Sequence, residues 1–267
     1  MTAARLYLRY IGISVRSQLQ YRASTIMLAV GHVLLTGIEF VGLWALFHRF
    51  GSLRGWQLPE VALFYGMANV SFALAEGLLR GFDTFPGMVR GGDFDRLLLR
   101  PRSTAFQVAA REVQLMRIGR LSQGLVVLLW AAWALPLDWS AGRIALLLFT
   151  ILGGLAFFAG LFVLTAVASF WTTDTLELIN VLTYGSVQTA QYPLSIYRPW
   201  FRRLLTFIVP LAAVSYFPLL AVLGRPDEAF GAPLWFQCLS PLVGVLFFAG
   251  ALLTWRVGVR HYRSTGS

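Results

Sequence analysis

From Ile144 to Trp171 the chain runs 28 residues without a charged side chain, and Thr150, Thr165 and Ser169 are the hydroxyl residues within it. As a helix that stretch is about 42 Å long, more than the roughly 30 Å of hydrocarbon in a bilayer. A second run, Ala23–Phe47, covers 25 residues with Glu39 as its one formal charge. Segments this long and this apolar cannot all fit inside one soluble core. Three more follow the same pattern: Glu60–Arg80, Leu121–Leu137 and Leu234–Trp255. Ser103–Leu137 reads as one long helix whose charged front half (Arg111, Glu112, Arg117, Arg120) projects into the cytoplasm. The fold class that results is an all-α membrane protein. Composition agrees, with 57% hydrophobic and 13% charged residues against about 45–50% and about 25% in soluble domains.

All 22 basic residues are arginine, for a formal charge of +10. A chain without lysine has no Walker A phosphate loop, no lysine Schiff base and no Ser-x-x-Lys nucleophile. The one cysteine (Cys238) and three scattered histidines (His32, His48, His261) make neither a disulfide nor a Cys/His metal cage. No Ser/His/Asp set is visible, so no catalytic residue, metal or cofactor is expected on this chain. In a membrane protein, arginine excess marks cytoplasmic loops and headgroup contacts, and nucleic acid is not an expected partner. Ala23–Phe47 exceeds the roughly 7–15 residues of a signal-peptide core and is expected to stay in the membrane. Ahead of it, Arg5, Arg9 and Arg16 share one narrow arc of a helix with Tyr7, Leu8, Ile11, Val15 and Leu19 opposite, so residues 1–22 read as a helix lying in the interface.

Loop charges set the orientation. Arg80–Arg120 holds eight arginines against four acids, whereas Pro136–Arg143 has one of each. The dense block is expected inside, together with the basic N-terminus and the C-terminal arginines Arg256, Arg260 and Arg263. Two cytoplasmic termini require an even number of spans, and six is the natural count. Residues 171–233 permit two choices for the remaining span. Thr175–Tyr192 is a polar helix. Leu204–Leu223 is more apolar but carries Pro210 and Pro218, which break helices. Charge alone favours Leu204–Leu223, because Arg198, Arg202 and Arg203 then lie inside.

Three constellations could carry function. In the loop 80–102, Gly91 and Gly92 precede Asp93, a good helix N-cap, with Phe94, Asp95 and Arg96 following. Leu97, Leu98 and Leu99, flanked by Arg96 and Arg100, must be buried either against the chain's own helix ends or in a groove of a soluble partner. In Thr175–Tyr192, the residues Glu177, Asn180, Tyr184, Gln188 and Gln191 fall within roughly an 80° arc. That stripe serves either hydrogen bonding between helices or the lining of a translocation path. In the first span His32, Thr36 and Glu39 share a face, and Glu39 is a candidate for the path or for a proton relay. Glu76, one turn before Arg80, reads as a structural pair. Ala62-x-x-x-Gly66 and Ala73-x-x-x-Gly77 offer small faces for helix packing.

Three stretches resemble a known family: Gly92-Asp-Phe-Asp-Arg-Leu-Leu-Leu-Arg-Pro101; Tyr192-Pro-Leu-Ser-Ile-Tyr-Arg-Pro-Trp-Phe-Arg-Arg203, continuing through Phe207-Ile-Val-Pro210 and Tyr216-Phe-Pro218 to Gly224; and the tail from Trp255 to Gly266 with Tyr262. Together with the span pattern they are similar to the permease subunits of bacterial type-2 ABC exporters, over essentially the whole chain. The resemblance implies a single transmembrane domain over 1–267 with six spans and an N-terminal elbow helix (1–22). It also implies an ATPase-coupling loop (80–102) and outer-leaflet re-entrant helices (192–233), which makes Thr175–Tyr192 the fifth span. ATP and Mg would be held by separate cytoplasmic ABC ATPase subunits. A second permease, identical or homologous, would supply the other half of the path. A proton-coupled secondary transporter using Glu39 and His32 is the alternative. The arginine-only composition suggests a GC-rich bacterium, hence a plasma membrane.

Overall fold

The structure is a computed structural model, and it describes residues 3–112, 114, 117–171 and 176–262. Helix accounts for most of that length, and no β-strand occurs among the described residues. The helices are α1 (Ala3–Leu19), α2 (Arg22–Phe50), α3 (Leu58–Asp83), α4 (Phe85–Arg90), α5 (Asp93–Leu98), α6 (Thr104–Ala109), α7 (Ile118–Ala134), α8 (Ala141–Ala168) and α9 (Leu176–Ala190). After them come α10 (Pro199–Arg203), a π-helical turn over Leu204–Ile208, α11 (Leu211–Val214), α12 (Tyr216–Leu223), α13 (Leu234–Leu239) and α14 (Leu242–His261). Four of these, α2, α3 extended through α4, α8 and α14, are long and apolar enough to cross a membrane, and α7 is a shorter apolar helix.

Helix α3 is the axle of the bundle. Pro59 in its first turn and a capping box between Gln57 and Glu60 start it. It packs against α7 on one side and α8 on the other; α14 covers α8, α2 leans on α7, and α9 touches both α8 and α3. Close approach uses small residues: a Cβ at Gly66 would fall 2.8 Å from Leu128, which accounts for Ala62-x-x-x-Gly66. Gly77 faces open space, so the second small-residue pattern has no such role. Burial is uneven. Almost every residue of α3 from Glu60 to Glu76 is enclosed, whereas α2 buries only Thr36, Leu43 and Phe47. Ile26, Met27, Leu34, Leu35, Ile38 and Val41 on α2 all stand exposed.

Long-range contacts define the two ends of the bundle. One carries α4 to α6. The other carries the turn 51–57, where Trp56 Nε1 donates to Ser195 Oγ at 2.9 Å and Arg225 pairs with Glu60 at 2.7 Å. Ser195 precedes the Leu204–Leu223 stretch and Arg225 follows it, so both its ends lie beside the same turn. The stretch itself is bent by 77° between Ile208 and Leu211, where Pro210 supplies no N–H.

Two sequence expectations need correction. Ser103–Leu137 is two helices, α6 and α7, because α6 folds back onto α3: a Cβ at Gly81 would fall only 1.8 Å from the Val108 carbonyl oxygen. Its arginines do not project away, since Arg117 and Arg120 turn onto α3. Leu234–Trp255 is likewise divided at Pro241, into α13 and α14. The Thr175–Tyr192 helix is present as α9; its residue 175 lies outside the described residues.

Candidate functional site

The α4–α6 end begins at a kink. Leu79 leaves helical geometry (φ −123°, ψ 21°) near the end of α3, Phe85-Pro86 starts α4, and Gly91-Gly92 reverses the chain into α5. Gly92 takes a left-handed conformation (φ 69°) and is itself the N-cap of α5. Asp93, expected as the cap, is instead the first helical residue, because its carboxylate is drawn sideways to Arg111 at 2.9 Å. That guanidinium holds the Asp93 carboxyl below the usual carboxylate range. Gln107 of α6 donates to the carbonyls of Leu97 at 3.3 Å and Arg102 at 3.0 Å, tying off the far side of α5.

Beneath α5 lies an aromatic cluster. Phe94 is fully buried, with ring centroids 5.0 Å from Phe85, 5.7 Å from Phe170 and 4.9 Å from Tyr262. Trp255 of α14 closes the cluster at 4.8 Å from Phe85, 5.2 Å from Phe82 and 5.4 Å from Phe170. Its indole N–H donates to Thr104 Oγ1 at 3.1 Å. Such edge-to-face pairs contribute beyond simple area burial. The cluster joins α5 to the ends of α3, α8 and α14, three helices far apart in sequence. The leucines divide accordingly. Leu97 points inward and is 7% exposed, Leu98 is 43% exposed and Leu99 87%. Arg96 and Arg100 flank this pair and are exposed, while Asp95 is half-buried beside Tyr262. Own-chain packing therefore encloses Leu97, covers part of Leu98 and leaves Leu99 exposed.

Deeper in the bundle, Glu76 is fully buried. Its Oε1 lies 3.3 Å from Arg80 and 3.0 Å from Arg117, and Arg80 pairs in turn with Asp83. The i,i+4 pairing read from the sequence is present, and Arg117 extends it to α7. Arg120 stacks over Phe72 at 5.1 Å. Removing one member of a buried charge set leaves the others uncompensated, so this network locks α3 to α7 near the α4–α6 end.

The polar stripe of α9 is split among different neighbours. Gln188 Nε2 donates to Glu39 Oε1 at 3.4 Å, joining α9 to α2. The Tyr184 ring lies 5.7 Å from Phe72 and its hydroxyl meets Arg80, while Gln191 is buried. Asn180 and Glu177 fall within α9, but their side chains lie outside the described residues. Glu39 and Gln188 are both exposed on the chain as it stands. His32 does not share that contact; it packs at Gly119 of α7, about 10 Å along α2 from Glu39. Between α2 and α7 a concavity of about 620 Å³ is lined by Gly37, Phe40, Trp44, Gln123, Val126 and Trp130. Among the described residues no three His, Cys, Asp or Glu side chains group as metal ligands.

Sequence reasoning placed Phe94 in the candidate loop but missed its inward packing and missed Trp255, which anchors α5 with it. The available signal was the density of aromatics (Phe82, Phe85, Phe94) in an otherwise charged loop. A family model described as ABC-2 family transporter protein matches residues 33–266. No curated protein and no solved structure matches the chain.

Proposed function

The chain belongs to the ABC-2 transporter family as a membrane-embedded permease subunit, and from that premise we propose that it forms half of an ATP-driven export path. Membership makes it a multi-pass membrane protein that works with ATPase subunits. In the proposed arrangement α2, α3, α7, α8, α9 and α14 cross the bilayer in alternating directions. The α4–α6 end faces the cytoplasm, as do both termini, and 192–233 returns to the outer side without crossing. Helix α1 lies in the inner interface, where its Tyr7 donates to the Leu78 carbonyl at 2.6 Å. The setting is a bacterial plasma membrane.

An ABC ATPase carrying ATP and Mg docks on the surface formed by Gly91, Arg96, Leu98, Leu99 and Arg100. Its closure moves α5, and the aromatic cluster passes that motion to α3, α8 and α14. ATP can shift the two states of the path only through contacts that differ between them, and the α5 surface supplies those contacts.

The single observation that carries the half-path reading is Glu39 with Gln188. A carboxylate and an amide standing exposed on an apolar helix face are costly against lipid tails. A second permease, identical or homologous, covers α2 and α9 and turns that face into the wall of a shared path. Leu35, one turn before Glu39 and 65% exposed, reports on this. In a Cys238→Ser background, Leu35→Cys, paired with an identical chain or with a homologous permease given a cysteine at the matching position, should form an oxidant-induced covalent species the size of two permeases, because a disulfide needs Cα atoms within about 7 Å. If Leu35→Cys stays monomeric in the assembled transporter and reacts freely with a membrane-permeant maleimide, α2 faces lipid and the half-path reading is wrong.

A further inference from the structure

The end of the bundle proposed to face outward is the end that the charge rule would leave poor in arginine, yet Arg54, Arg202 and Arg225 converge there on one open cavity of about 630 Å³. They arrive from three separate segments, the turn 51–57, α10 and the residues after α12. Trp56, Ser195 and Tyr216 also line the cavity.

The three cations are not equivalent. Arg225 is fully engaged: it pairs with Glu60 at 2.7 Å, donates to the Gly55 carbonyl at 3.2 Å and stacks on Trp56 at 4.4 Å. Asp227, buried beneath the rim, is engaged by the N–H groups of Ala229, Phe230 and Ala232 at 2.9–3.3 Å. Arg54 makes only a 3.5 Å contact with the Ser195 carbonyl. It holds a left-handed backbone (φ 49°), alone among the described non-glycine residues. Arg202 has no carboxylate within ion-pair distance among the described residues. The acid on the lining, Glu228, is exposed and has no arginine within ion-pair distance among the described residues. Arg54 and Arg202 thus face the cavity with no ion-pair partner among the described residues, and their donor geometry matches a phosphate.

The surroundings choose among phosphates. Phe207 and Ile208, 74% and 75% exposed, continue from α10. Phe207 stacks at 6.1 Å on Phe230, the neighbour of the cavity residue Ala229. An anionic pocket ligand with acyl chains would place its head on Arg54 and Arg202 and its tails on Phe207, Ile208 and Phe230. We propose that this cavity binds the phosphodiester head of an anionic phospholipid. A zwitterionic lipid fits less well, because its ammonium would meet the same arginines. The site is built within this one chain, so its occupancy needs neither the ATPase nor the second permease, and its test is separate from that of the half-path.

The test is lipid retention by the purified chain in mixed micelles, read by native mass spectrometry with equal phosphatidylglycerol and phosphatidylcholine. Wild type should retain phosphatidylglycerol preferentially. The Arg54→Gln/Arg202→Gln variant should lose that retention at least ten-fold, and Arg198→Gln/Arg203→Gln, which changes the same helix away from the lining, should keep it. Millimolar inorganic phosphate should not displace the lipid. As a check independent of variant folding, a photoreactive phosphatidylglycerol should label wild type within residues 195–208 or 225–230. Equal retention by the Arg54/Arg202 variant, labelling elsewhere, or displacement by inorganic phosphate would each overturn the proposal, the last by showing a site for a soluble anion.

Discussion

A Leu98→Asp/Leu99→Asp permease should reach the membrane folded and be recovered from it without its ATPase. Leu98 ends α5 and Leu99 follows it, 43% and 87% exposed, so neither substitution places a charge in this chain's interior. Stability should therefore change by no more than about 1 kcal/mol over the two positions, at the usual range of about 0.5 kcal/mol for each surface substitution. At the interface the outcome is different. Burying the exposed parts of two leucines in a desolvated groove contributes about 2 kcal/mol or more in all, and aspartates there lose that contribution and add unpaired charge. Affinity for the ATPase should fall by roughly 30-fold or more, read as loss of the ATPase from an affinity-tagged permease. Retention at the wild-type ratio would show that the ATPase docks elsewhere.

Trp255→Ala should have the opposite signature: the ATPase stays and transport stops. Trp255 contacts Phe82, Phe85, Phe94 and Phe170 and hydrogen bonds to Thr104, yet it lies in α14, away from the exposed face of α5. Its removal leaves Leu98 and Leu99 in place and hollows the joint between α5 and the long helices. Truncating a buried tryptophan costs about 3–5 kcal/mol, so the melting temperature should fall. ATP-dependent transport should drop at least ten-fold while co-purification of the ATPase persists. Trp255→Phe, which keeps a ring in the cluster, should restore most of the transport. If Trp255→Ala transports at the wild-type rate once its folded fraction is accounted for, α5 does not act through this cluster.

The parts of this molecule legible in the sequence are those decided by the absence of charge. α2 and α8 contain so few polar groups that a buried or lipid-facing helix is the one outcome open to them, and the structure shows helices over both stretches. Charged residues misled wherever their partner was distant. Arg117 and Arg120 read as a solvated front half because Glu76 and Phe72, which receive them, lie more than forty positions earlier. The choice between Thr175–Tyr192 and Leu204–Leu223 stayed open for the same reason. What brings both ends of Leu204–Leu223 to one place is Trp56 with Ser195 and Glu60 with Arg225, pairs separated by 139 and 165 positions. In the candidate site the leucines stood out because apolar residues on a charged loop demand a cover. Phe94 stood among the candidate loop residues, but nothing in the sequence marked it as the residue of α5 most enclosed by its own chain. Hydropathy marks which residues must be covered and is silent on what covers them.

In the proposed function this permease takes its driving force from an ATPase gripping α5. The direct measurement is cargo movement in sealed proteoliposomes that contain the permease, with its partner permease where there is one, with and without the ATPase. Uptake or release should begin on addition of ATP and Mg, cease in the Leu98→Asp/Leu99→Asp variant, and be unaffected when ion gradients are collapsed. Movement by the permease without the ATPase, driven by a proton or sodium gradient and abolished by Glu39→Gln, would contradict the proposed function.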